Sequence, residues 1–472
     1  MSNLFSKVLL VVGVWIMAFE TVQSQNRYLV YFKDKSGTSY STANPQQYLS
    51  ARAIARRQRQ HIAVSERDFP PNTSYIQSIK NLGAKVLYKT RWLNGVLVET
   101  NSTTLSQILA LPFVRGIEGN GDIRNARVST ENRSNNKTDK WGTTTTEGYG
   151  FSENQVKMLC ADSMHSAGYR GEGMLIGVLD GGFQNANQHP SLQPLFSENR
   201  VLSTFDFVDN ETDVYDDHSH GTNVLSCMAS YMPDTLIGTA YKASYVLLRT
   251  EDDATETKIE EAYWVFGAEY ADSLGVDIIN SSLGYSEFDN PAQNYTYSQM
   301  NGDVALSTRG ADLAAQAGIL VVVSAGNSGS SPWQYITAPA DGDSVLAVGA
   351  VNPAGIRTSF SSIGPSADGR VKPDVAAQGS FVVVATPSGS YAYSQGTSFA
   401  APLLAGMAAG FWQAHPNLTN VQVMNYLKQS GTQAQSPDYL LGYGIPNFKK
   451  ADALASECAA QKCVPVTARI VK

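Results

Sequence analysis

Four short segments of the 472-residue chain carry residues whose types and spacing could do chemistry. In Ile176-Gly177-Val178-Leu179-Asp180-Gly181-Gly182 an apolar run of buried-strand type ends on an acid followed by glycines. Parallel sheets place functional groups at such carboxyl ends, although Asp180 alone reads more simply as the cap of a turn. Asp217-His218-Ser219-His220-Gly221-Thr222 sets a histidine just before Gly-Thr at the start of an apolar helical run, and imidazole is the side chain suited to moving protons near neutral pH. A lone histidine is more often structural. His218 is the neighbouring candidate and ranks below His220, because the Gly-Thr that lets backbone turn closely beneath a base follows His220. Gly396-Thr397-Ser398-Phe399-Ala400-Ala401-Pro402 opens a long apolar helix. Its positive end would favour an oxyanion beside the Ser398 hydroxyl, whereas the plainer reading is a helix cap. Val323-Ser324-Ala325-Gly326-Asn327-Ser328-Gly329 ends a strand on an asparagine among glycines, either an Asx turn or an amide that donates to an oxyanion.

These segments need a scaffold, and the surrounding pattern supplies one. Buried-type strands are predicted at 174–179, 245–249, 277–281, 318–324 and 345–351, separated by helical stretches such as 305–317. They read as one α/β domain with a parallel sheet covered by helices on both faces. Asp180, His220, Asn327 and Ser398 each fall at an element boundary of that domain, and joint coincidence is improbable. Before it, from Arg27 to Glu118, short strands and helices alternate as a small α+β unit. It has strands at 28–32, 84–88, 93–99 and 113–117, a basic helix started by Asn44 and Pro45, and further helices at 74–82 and 103–111. Between the two lies a stretch rich in Ser, Thr, Asn, Lys and Gly, read as a linker or exposed loop open to proteolysis. The resulting division is 1–24 leader, 25–127 small unit, 128–150 linker and 151–472 main domain.

Composition agrees with packed globular structure: 43% hydrophobic and 16% charged residues, with 35 Lys and Arg against 42 Asp and Glu for a net charge of -7. No basic concentration lies near the motifs, so nucleic acid is not an expected partner. Lys7 followed by an apolar run to Phe19 and small residues near Ser24 has the layout of an export signal. That run is short of the roughly 20 residues that span a bilayer, so the expectation is a secreted protein, extracellular or periplasmic, without a membrane anchor. Of the four cysteines, Cys160, Cys227, Cys458 and Cys463, the last two are close enough in sequence to pair, and Cys227 reads as a buried thiol.

His-Gly-Thr at His220 and Gly-Thr-Ser-x-Ala-x-Pro at Ser398, in the order Asp, His, Ser, resemble the subtilisin-like serine proteases over roughly 171–447. The resemblance implies a secreted endopeptidase with Ser398 as nucleophile, His220 as general base and Asp180 orienting it. Asn327 and the Ser398 N–H would form the oxyanion hole. It also implies that Ser281, Ser282, Leu283 and Gly284 pair with extended polypeptide substrate, and that Ala325 and Gly326 wall the pocket beside them. Gln378 and Phe399 stand where the family commonly has Pro and Met. The 27–118 unit resembles a subtilase propeptide, a ferredoxin-like chaperone and temporary inhibitor removed by self-cleavage, here between Glu118 and Asn154. The protease is expected to act as a monomer and to need no cofactor for catalysis.

The acidic stretch Asp206, Asp209, Asp213, Asp216 and Asp217 could bind structural calcium, but its spacing matches no defined loop and a solvated acidic surface is the simpler reading. Asn72, Asn136 and Asn417 begin glycosylation triplets. A catalytically inactive binding protein on the same fold is the principal rival, weakened because all four catalytic positions are filled. An esterase would show Gly-x-Ser-x-Gly and a zinc protease His-Glu-x-x-His, and the sequence has neither.

Overall fold

A computed structural model describes residues 26–123 and 148–461 of the chain. The leader, nearly all of the linker and Cys463 lie outside the described residues, and with Cys463 the suggested pairing to Cys458. No helix among the described residues is long and apolar enough to cross a membrane.

The N-terminal unit runs β1 (Asn26–Phe32), α1 (Ala51–Arg59), α2 (Thr73–Asn81), β2 (Lys85–Thr90), β3 (Gly95–Thr100), α3 (Ser102–Leu109) and β4 (Val114–Ile117). Its four-stranded antiparallel sheet has the order β2-β3-β1-β4. The basic helix starts at Ala51 rather than at Pro45, because Pro45–Gln47 closes only a 3-10 turn and the Ser50 side chain then caps α1 by accepting from Ala53 N. The period of two along β1 divides its side chains. Tyr28, Val30 and Phe32 pack under α2 and α3, whereas Leu29 and Tyr31 face the second domain.

That domain continues with α4 (Glu153–Lys157), α5 (Ala161–Ser166), β5 (Leu175–Asp180), α6 (Gln193–Ser197), β6 (Val201–Asp206), α7 (His220–Ala229), β7 (Tyr231–Met232), β8 (Leu236–Ile237) and β9 (Ser244–Arg249). Then follow α8 (Lys258–Leu274), β10 (Ile278–Ser281), α9 (Leu306–Gln316), β11 (Leu320–Ser324), β12 (Leu346–Val351), β13 (Val375–Gln378), β14 (Val382–Ala385), β15 (Tyr391–Ser394), α10 (Thr397–Ala414), α11 (Asn420–Ser430) and α12 (Phe448–Gln461). The main sheet is seven-stranded and parallel, in the order β13-β12-β11-β10-β5-β9-β6. It is an α/β fold with helices on both faces. Ile176 and Val178 of β5 pack with α7 and α10, and Leu175 and Leu179 pack with α8 on the other face. Cys227 is buried, as its apolar surroundings predict, with its thiol 3.6 Å from Asn223 O.

The sheet of the N-terminal unit lies on α8. Leu29, Tyr31, Trp92 and Leu97 join the core on that side, and a buried polar network reinforces the seam. Arg56, Arg57 and Arg91 all meet Asp272 of α8. Glu269 accepts from Arg91 N at 2.8 Å and Trp92 N at 3.2 Å. Arg59 lies 3.1 Å from Asp277, and Gln60 donates to Gly318 O at 2.7 Å, next to the carboxyl ends of α8 and α9.

Candidate active site

Asp180 is the last residue of β5 and is fully buried. Its Oδ1 accepts from Gly181 N at 2.9 Å and lies 2.7 Å from His220 Nδ1, the contact expected of an imidazole whose Nδ1–H donates to the acid. Asp180 Oδ2 has no hydrogen-bond partner among the described residues. Its charge is left largely for the imidazole to balance.

His220 opens α7. A Cβ on Gly221 would come within 2.3 Å of Gly182 O, and Thr222 Oγ1 donates to Gln184 O at 2.8 Å. Thus the Gly-Thr pair seats the helix directly on the loop after Asp180, which is the close turn expected beneath the base. Burial of the imidazole opposes its charged form, but the Asp180 charge and hydrogen bond outweigh this and raise its pKa above 6.5. His218 takes a different partner: its Nε2 lies 3.5 Å from Asp253, and its side chain is 39% exposed.

Ser398 is the second residue of α10 and is 8% exposed. Its hydroxyl donates to Ser282 O at 3.3 Å, and Ser282 Oγ donates back to Ser398 O at 2.8 Å. Asn280 Nδ2 donates in turn to Ser282 Oγ at 3.2 Å, so the exit of β10 is tied to the start of α10. The Phe399 ring sits 5.7 Å from that of His220, between centroids.

Asn327, just past β11, has its Oδ1 fixed by two donors, Thr397 N at 2.9 Å and Thr397 Oγ1 at 3.0 Å. Two donors on one atom settle which end of the amide is oxygen, and Nδ2 remains for an outside acceptor. It lies beside Gly396, 3.6 Å from where a Cβ there would stand. The side chain and the first N–H groups of α10 are therefore presented together.

Of the substrate-strand residues, Leu283 is half-buried and Gly284 exposed, at the open edge beyond β10. The Ser281 side chain is in the core, where Oγ accepts from Trp264 Nε1 at 2.8 Å, which leaves its backbone for pairing at the cleft. Ala325 is buried, while Gly326, at φ +104°, is partly open.

Sequence reading did not give the arrangement of two groups of charges near these residues. Asp206, Asp209 and Asp217 of the acidic stretch converge on the guanidinium of Arg249 rather than standing simply solvated. Glu251, Glu256 and Glu260 bring carboxylate oxygens within 4.8 Å of one another. Burial first, and the neighbouring acids next, push the Glu251 and Glu260 carboxyls well up. The Tyr285 hydroxyl donates to Glu251 at 2.9 Å.

Fold and site together define a serine-type endopeptidase. The subtilase family profile matches residues 171–444, and residues 27–139 match the peptidase S8 propeptide domain of Bacteroidota. The chain belongs to the subtilase family. It is 35% identical over 307 residues to subtilisin NAT of Bacillus subtilis subsp. natto, covering 64% of this chain and 70% of that one. The subtilisin of Bacillus pumilus is also 35% identical over 307 residues, covering 64% and 98%. Subtilisin DY of Bacillus licheniformis is 34% identical over 301 residues, covering 63% and 97%.

Proposed function

We propose that the chain is the exported precursor of a serine endopeptidase that matures by its own Ser398. Ser398 Oγ turns from the Ser282 carbonyl to His220 Nε2, gives up its proton and attacks a peptide carbonyl. His220 then returns the proton to the leaving amine, and water repeats the sequence on the acyl-enzyme. Asp180 holds Nδ1 protonated, so that Nε2 is the basic nitrogen. Asn327 Nδ2 and the Ser398 N–H hold the oxyanion, a term of several kcal/mol. Substrate lies as an added strand along 282–284. These steps use side chains and backbone groups alone; calcium, if it binds, acts on structure.

The observation that carries this reading is the contact at 2.7 Å between buried Asp180 and partly exposed His220, in the same domain as a serine at the start of α10 whose neighbour Thr397 locks the Asn327 amide. The N-terminal unit supports the precursor reading through its seat on α8, and cleavage in the 118–154 interval would leave it bound as a temporary inhibitor. A sulfonyl-fluoride probe tests the chemistry. It should label the mature protein on a peptide containing Ser398 and abolish hydrolysis of peptide substrates. Absence of labelling with intact folding would favour an inactive homologue.

A further inference from the structure

The register of the parallel sheet places Arg249, the last residue of β9, between Asp180 on β5 and Asp206 on β6. Its guanidinium is almost enclosed, with 8% of the side chain exposed. Nη1 donates to Asp206 at 2.7 Å and Asp209 at 2.6 Å and stands 3.2 Å from Asp217 Oδ2, while Nε donates to Gly181 O at 3.2 Å. Three carboxylates this close repel one another and call for a cation among them. Here the cation is part of the chain.

Two of its partners flank the acid–base pair. Gly181 follows Asp180 directly, and Asp217 stands just upstream of His220. The loops carrying them run in contact, since Gly182, at φ +143°, leaves only 2.6 Å between a Cβ position and His218 N. Arg249 is the charged group that grips both loops from the strand between.

We propose that Arg249 is a positioning residue for proton transfer, a tethered cation that sets the Asp180–His220 separation by holding the Gly181 and Asp217 loops together. The inference rests on the roles assigned above to Asp180, His220 and Ser398. It gives the acidic stretch a use that its sequence did not disclose. The raised pKa of His220 depends on Asp180, so a looser pair lets it fall back toward 6.5. The other groups facing His220 are Asp253, from the connection between β9 and α8, and His218, itself paired to Asp253. Phe399 of α10 brings no charge, and Glu251 faces Asp180 rather than the imidazole.

The test compares the matured native enzyme with Arg249→Ala, Arg249→Lys and Asp217→Asn, each with active sites counted by the sulfonyl-fluoride probe and Ser398→Ala as blank. Arg249→Ala should lose about 10- to 100-fold in kcat per labelled site, as small misplacements in a relay do, with KM within about twofold. Its acid limb should move to lower pH, and Arg249→Lys should recover part of both. A role in stability alone would lower the number of labelled sites without moving the limb. Unchanged kcat per site and an unmoved limb would overturn the proposal. If Arg249→Ala does not mature, Asp217→Asn should show a smaller shift in the same direction, and no shift there overturns the proposal equally. Failure of the native enzyme to label removes the reading of Ser398 itself, an outcome distinct from a labelled native enzyme with unaltered variants.

Discussion

Asp180 and Asp272 are both fully buried aspartates, and their surroundings differ in one respect. Asp272 receives three guanidinium groups, Arg56 and Arg57 from α1 and Arg91 from the turn after β2. Burial works against its charge, but those arginines more than reverse the effect and hold its carboxyl well below the usual range. Asp180 has a single imidazole and one backbone N–H, with its second oxygen unpartnered among the described residues. A buried carboxylate with surplus cations locks two surfaces together and is costly to disturb. One with a single titratable partner has its charge in reserve for the proton that partner will take. On the proposed mechanism, the same residue type thus serves docking in one place and proton transfer in the other.

Exchanging each acid for its amide separates the two roles. Asp180→Asn should lower kcat by about 10⁴-fold, because the imidazole is held in the wrong tautomer, while the N-terminal unit stays bound; steady-state kinetics and gel filtration check both. Asp272→Asn should do the reverse. Removing one partner of a buried ion pair costs about 3–5 kcal/mol, so retention of the cleaved N-terminal unit should weaken by about 10²–10⁴-fold, with kcat per labelled site unchanged. Loss of activity in the second variant, or of docking in the first, would break the distinction.

Asn327→Ala sharpens it, since the proposed mechanism gives this residue a part in catalysis and none in docking. It should lose about 10²–10³-fold in kcat, the effect known from removing such a donor in a subtilisin, with docking intact. The smallest expected effects are in pH. The proposed mechanism needs neutral His220, whose pKa is raised, so the acid limb should lie above 6.5. Asp272 is shifted the other way. Its contribution to docking is present above the unfolded carboxylate value, about 4, and is lost only as pH falls through the lower folded value. The non-covalent complex should therefore survive on gel filtration at pH 4, where hydrolysis has stopped.

The catalytic side was far more legible in the sequence than the docking side. Strand β5 ends on Asp180, His220 opens α7 and Ser398 opens α10, so each announces itself through its own neighbours. The local close approach at Gly221 was legible for the same reason. Asp272 lies more than 180 positions from each of the arginines that meet it, and nothing in the sequence around α8 reports them. Arg249 likewise gathers Asp206 from the end of β6 and Asp209 and Asp217 from the connection after it. Ser281 follows the strand pattern, and the alternation turns its side chain toward Trp264 in the core, a partner its neighbours in sequence do not announce.

The most direct test of the central claim is the intact mass of the exported product from the native sequence and from Ser398→Ala, expressed side by side. Native protein should lose the N-terminal unit by a cut between Glu118 and Asn154, and Ser398→Ala should remain full length apart from the leader. Identical processing of both would assign the cut to another protease, and no processing of either would contradict self-maturation through Ser398.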